Sequence, residues 1–145
     1  MSDQRLITVG WREWLALPDL GIERIKAKVD TGARTSCLHA FSYDYFTKDG
    51  NTWVRFGVHP EQENSEKELF CEAEVVEERM VSDSGGHKEK RPIIRTTIVM
   101  GALSFEAEFT LTNRDSMKFR MLLGRTAMEN RMLVNPALSY CASSK

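Results

Sequence analysis

From Leu103 to Thr112 the chain alternates without a break, with Leu103, Phe105, Ala107, Phe109 and Leu111 set against Ser104, Glu106, Glu108, Thr110 and Thr112. A period of two marks a strand with one face buried and the other in water. Ile94, Thr96, Ile98 and Met100 repeat the pattern just upstream, and Gly101-Ala102 between the two runs is short enough for a tight turn. Residues 93 to 112 are therefore predicted to form a β-hairpin. Ile25, Ala27 and Val29 alternate with lysines in a strand that runs into Asp30; Val54, Phe56 and Val58 suggest another, and Leu69, Cys71, Ala73 and Val75 a further one. The polar stretches Glu61 to Glu68 and Ser82 to Lys90, the latter containing Gly85-Gly86, are expected to be loops or hairpin tips. A single short helix is expected from Arg125 to about Met132. The fold class expected is all-β.

Composition narrows what such a sheet protein does. With 145 residues the chain is long enough to bury a real core, and one domain over residues 1–145 is expected, with an N-terminal strand and a short polar C-terminal tail. Apolar residues make up 41% and charged residues 28%, and a net charge of -1 gives no electrostatic reason to expect nucleic acid or an anionic membrane as partner. No apolar run reaches the ~20 residues of a bilayer span. The start MSDQRLITVGWREW lacks the basic and apolar segments of a secretory signal, so a cytoplasmic location is expected. Cys37, Cys71 and Cys141 are odd in number and widely spaced, which points to thiols rather than a disulfide framework.

Asp30-Thr31-Gly32 directly follows the strand that ends at Val29. Glycine carries no Cβ, so backbone or substrate can approach the carboxylate closely. The same three residues also suit an ordinary turn in which the aspartate accepts hydrogen bonds from nearby amides. A second segment far downstream, Met121-Leu122-Leu123-Gly124-Arg125, favours chemistry, because its apolar residues and glycine can pack beneath the Asp30 loop. Peptide hydrolysis by carboxylates needs two aspartates about 3 Å apart that share one proton: the charged member activates water and the protonated one polarises the carbonyl. The chain holds one Asp-Thr-Gly, so the second aspartate has to come from another copy in a C2 homodimer.

The segments Gly10-Trp11-Arg12-Glu13, Leu17-Pro18-Asp19-Leu20-Gly21, Ile25 through Ser36, His39-Ala40, Arg91-Pro92 and Leu123-Gly124-Arg125 together resemble the retropepsin-like aspartic peptidases, single-lobed relatives of pepsin. They resemble specifically the bacterial branch labelled "ATP-dependent zinc protease", which is found alongside ATP-grasp glutamate ligases of the ribosomal-modification type. The resemblance implies a single-lobed, closed acid-peptidase β-barrel with one short C-terminal helix. It makes Asp30 the catalytic acid or base, with Thr31, Gly32 and Ala33 shaping the active-site loop and Thr31 bracing the two loops across the dimer. Leu122, Leu123 and Gly124 would support that loop from below. Gly85 and Gly86 would tip a flap that closes over the peptide, and Leu133-Val134-Asn135 would interleave with a second subunit. The partners implied are a peptide or protein substrate, a second copy of the chain and an ATP-grasp glutamate ligase. The competing reading is a noncatalytic peptide-binding module that assists the ligase.

One position departs from the viral relatives, where an acidic residue follows the Asp-Thr-Gly-Ala sequence and pairs with the downstream Gly-Arg arginine; here it is Arg34. Arg34 and Arg125 are expected either to bind acidic side chains of a substrate, which the arginine fork suits, or, for Arg34, to pair with a surface glutamate. The family label invites zinc, yet His39, two residues after Cys37, with His59, His87, Cys71 or Asp30 shows neither a His-Glu-x-x-His nor a Cys-x-x-Cys spacing. No phosphate-cradling Gly-rich motif is present either, so neither metal nor cofactor is assigned. Trp11 and Trp14 are expected to pack on the core or a subunit interface rather than to form a partner surface.

Overall fold

The computed structural model describes residues 6–59, 68–82, 85–86, 88–112 and 119–142. Apart from Glu68, the loop expected at 61–68 lies outside these residues, as do positions 83, 84 and 87 and the last three residues of the tail. The chain passes through β1 (Ile7–Val9), β2 (Arg12–Leu17), a 3-10 turn at Pro18–Leu20, β3 (Ile22–Val29), β4 (Ser36–His39), β5 (Ser42–Lys48) and β6 (Asn51–Val58). It continues through β7 (Leu69–Ser82), β8 (Lys88–Met100), β9 (Leu103–Thr112), β10 (Met121–Leu123), α1 (Arg125–Met128) and β11 (Met132–Val134).

Six strands in the order β2-β3-β10-β4-β9-β8 close into a barrel where Ala16 of β2 pairs with Val99 of β8. The core is the inward row of these strands, including Leu15, Ile25, Ala27, Leu38, Ile98, Leu111 and Met121, each at most 4% exposed. Beyond β8 the sheet continues through β7 and β6 to a free edge at β5. The all-β barrel with one short helix is the expected class.

The predicted hairpin is present and longer than the alternation indicated, since β8 begins at Lys88 and its arm pairs with β7 as far as Ser82 opposite Lys88. Met100 lies opposite Leu103, so Gly101-Ala102 is a two-residue turn, and Gly101 takes the positive φ of 59° that such turns favour at their first position. The outer face of β9 is wet only over its first half. Thr110 and Thr112 are buried, where β4 runs alongside in parallel register. The helix stops at Met128 rather than near Met132: Glu129 leaves the helical region at ψ 131° and Asn130 adopts a left-handed φ of 64°. Asparagine tolerates that conformation better than most residues, and the chain turns there into β11. Within its own chain, the segment expected to interleave with a second subunit forms β11, which lies parallel to β1 with Leu133 opposite Thr8.

Candidate functional site

β3 and β4 are the two arms of the Asp30 loop, and they do not pair with each other. β10 is inserted between them, parallel to β3 through Leu123 and Val29 and antiparallel to β4 through Leu122 and Cys37. The Asp30 N–H donates to the Leu123 carbonyl at 2.9 Å, so the first residue of the loop is fixed to the end of β10. Just beyond, the Arg125 and Thr126 N–H groups donate to the Ala33 and Arg34 carbonyls at 2.7 and 3.0 Å. The Gly124 N–H donates to the buried Ser36 Oγ at 2.9 Å. A Cβ on Gly124 would lie 2.5 Å from the Thr35 carbonyl carbon, so no other residue brings the two segments this close without displacement.

Within the loop, Asp30 Oδ1 accepts the Gly32 N–H at 3.0 Å, and the Ala33 N–H donates back to the Asp30 carbonyl at 3.2 Å. The aspartate is half-buried while Thr31 and Gly32 are exposed. The structure thus gathers Asp30, Thr31, Gly32, Ala33, Leu122, Leu123 and Gly124 into one unit. The side-chain bond of an ordinary Asp turn is present in it, on a backbone held from beneath by β10. A half-exposed carboxylate on a rigid loop is able to act on a water or a substrate carbonyl.

The two arginines separate. Arg125 Nη1 donates to the Thr31 carbonyl at 3.1 Å, across the loop. Arg34 pairs with no carboxylate among the described residues; it faces a cleft of 260 Å³ together with Thr35, Arg79, Arg95, Thr126 and Arg131, where Glu106 and Glu108 are the only acids of the described lining. An adjoining hollow of 340 Å³ is lined by Arg34, Thr35, Arg79, Met80, Val81 and Thr110. Arg79 Nη1 donates to Thr35 Oγ1 at 3.1 Å, tying the β7 arm of the hairpin to the Asp30 loop. The exposed Gly85-Gly86 tip of that hairpin lies beyond this tie. Sequence reasoning missed Ser36, Arg79, Arg95 and Arg131; Arg79 is 44 residues from Thr35, and no local pattern signals that meeting.

No group of three or more His, Cys, Asp or Glu able to hold a metal ion occurs among the described residues. Cys71 donates from Sγ to the Leu20 carbonyl at 3.3 Å, and burial pushes its thiol up to about 11, away from the thiolate a ligand or nucleophile needs. No helix among the described residues is long and apolar enough to cross a membrane.

A family model described as "Retropepsin-like aspartic endopeptidase RimB" matches residues 8–145. A Shewanella pealeana protein named "Probable alpha-L-glutamate ligase" is 48% identical over 145 residues, all of this chain and 31% of its own length. A protein of the same name from Desulfotalea psychrophila is 44% identical over 92% of the chain and 29% of its own length. The chain therefore spans about a third of these curated relatives. Among solved structures, the crystal structure of a Legionella pneumophila protein of unknown function (DUF785) matches with a TM-score of 0.78 and 28% identity, covering 94% of this chain and 98% of that one.

Proposed function

Because the chain belongs to the RimB-like family of retropepsin-like aspartic endopeptidases, we propose that it is an aspartic endopeptidase whose Asp30 pairs with Asp30 of a second copy across a two-fold axis. The observation that carries this reading is the Asp30 loop, a half-exposed carboxylate whose backbone is clamped on β10 at Leu123. In the dyad the ionised carboxylate takes a proton from water, whose oxygen attacks the scissile carbonyl carbon while the protonated partner donates to the carbonyl oxygen. Collapse of the resulting gem-diol breaks the C–N bond, the leaving amine receives a proton from the dyad, and a carboxyl and an amine product result. Thr31 and Gly32 line the approach, Arg125 holds the loop through the Thr31 carbonyl, and the Gly85-Gly86 hairpin closes over the substrate.

The cleft supports an acidic or glutamylated substrate, cut at a peptide or isopeptide bond: Arg34 faces it with no carboxylate partner among the described residues, beside Arg79, which Glu77 and Thr35 hold in place. The test is cleavage of a diverse peptide pool enriched in glutamyl peptides between pH ~4 and 7, the range around a perturbed carboxylate pair. Wild type is expected to cut and Asp30→Asn to be inert; cleavage that persists in Asp30→Asn removes the dyad. In the same pool Arg34→Ala is expected to lose the preference for acidic peptides, and an unchanged preference removes the substrate assignment.

A second reading rests on the names of the relatives, which carry the matching region as about a third of a probable glutamate ligase. In it the domain binds peptide and assists a ligase without cutting. Ligase binding that survives Asp30→Asn, together with no cleavage by wild type, selects that reading.

A further inference from the structure

A basic face on the barrel shares no residue with the Asp30 loop or its cleft. On β2 and β3, Arg12 is the register partner of Lys28 and Trp14 that of Lys26, so these side chains share one face of the sheet. Glu13, Leu15, Ala27 and Val29 are buried on the other face. Exposed Arg24 extends the row. Aromatic rings order these cations: the Arg24 guanidinium lies 3.8 Å from the Trp14 ring centroid, and Lys26 Nζ lies 5.1 Å from it. Arg12 lies 4.9 Å from Tyr140 and 4.6 Å from Trp11. Tyr140 runs nearly parallel to Trp14, at 19° with centroids 6.0 Å apart, and its N–H donates to the Arg12 carbonyl at 3.0 Å. None of Arg12, Arg24, Lys26 and Lys28 forms an ion pair with a carboxylate of the described residues.

We propose that this face docks an acidic polypeptide segment. Arg12 Nε donates to Ser139 Oγ at 3.2 Å; the remaining N–H donors of Arg12 and those of Arg24 match carboxylates, and the ring contacts remove beforehand part of the rotamer entropy that binding costs. Single-stranded nucleic acid fits less well, because stacking of bases needs open ring faces and the chain's own cations lie over these rings. The chain's net charge is only -1, and Glu72, Glu74, Glu77 and Glu78 gather on β7. The four cations of the β2–β3 face, without carboxylate partners among the described residues, make a local positive surface that attracts an acidic partner.

The experiment is a titration of the isotope-labelled chain with a short oligo-aspartate peptide, followed by NMR at the Trp14 indole N–H and the β2–β3 amides. Saturable shifts at these resonances that weaken with added salt are expected. The Arg24→Glu/Lys26→Glu pair is expected to lower affinity by about tenfold or more, the effect of 1.4 kcal/mol. If that double variant does not fold, Arg24→Gln and Lys28→Gln at exposed positions serve instead, and each is expected to weaken binding. Arg34→Ala/Arg79→Ala is expected to leave the Trp14 response unchanged, which separates this surface from the cleft. Absence of saturable binding, shifts confined to the surroundings of Arg34 and Arg79, or tighter binding of single-stranded oligo-dT at the same resonances would overturn the proposal.

Discussion

The Glu13 carboxylate is fully buried and accepts three backbone N–H groups, from Gly10 at 2.6 Å, Cys141 at 2.8 Å and Ala142 at 3.0 Å. One side chain thereby ties the start of β2 to a tail nearly 130 residues later. Glu13→Gln turns a hydrogen-bond donor toward these donors and leaves at least one buried N–H unpaired. It is expected to destabilise the fold by about 3 kcal/mol, measured as a lower urea midpoint at constant m; an unchanged midpoint refutes this role. Cys71 responds to pH in one direction. Its folded thiol holds the proton more tightly than the unfolded one, so the stability it carries is complete below pH 9.0 and is lost as pH rises through about 11. Circular dichroism across that window is expected to show a shallower alkaline loss in Cys71→Ala, and equal slopes would exclude the effect. The sequence marked Cys71 as a buried thiol through strand alternation, but nothing local marked Glu13, because its partners come from the other end of the chain.

β10 decides the site's precision at the scale of elements. Three residues, Met121 to Leu123, are hydrogen-bonded on both sides, and the loop they hold depends on the close passage of Gly124 under Thr35. Gly124→Ala is expected to push the loop off β10, costing about 1–3 kcal/mol and lowering kcat of cleavage more than it raises KM. A variant with wild-type kcat would show that the loop does not need this contact. Met121-Leu122-Leu123-Gly124 was legible because a short apolar run ending in glycine is a local pattern. The helix was overextended because Thr126, Ala127, Met128 and Glu129 read as helical while Asn130 quietly ends the run. β5 was missed since Tyr43, Tyr45 and Phe46 put aromatics on both faces and hide the period of two.

A mixing experiment addresses the whole molecule. If the active unit is a two-fold dimer with one Asp30 from each copy, equal amounts of wild type and Asp30→Asn, left to exchange subunits, retain about half of the original wild-type dimers. Cleavage activity is expected to fall to that level relative to the same wild type exchanged into buffer; unchanged activity instead would show each subunit acting alone. β1 and β11 bear on the proposed dimer. They form a two-stranded sheet within one chain, and Leu133 on β11 is 56% exposed, leaving apolar surface beside a free strand edge.

What the sequence by itself determined were features with a local signature: the period-two strands and the Gly101-Ala102 hairpin, the turn that carries Asp30, and the apolar run beneath it. Only the tertiary structure decided that Arg125 would be spent on the Thr31 carbonyl and Arg34 left facing a cleft, that Arg79 would reach Thr35, and that β11 would pair with β1 of its own chain. The reason is the order of strands in the sheet. Side-chain periodicity is set residue by residue along one strand, whereas the neighbours of a charged side chain are set by which distant strands lie next to each other, and closing this barrel places β10 between β3 and β4.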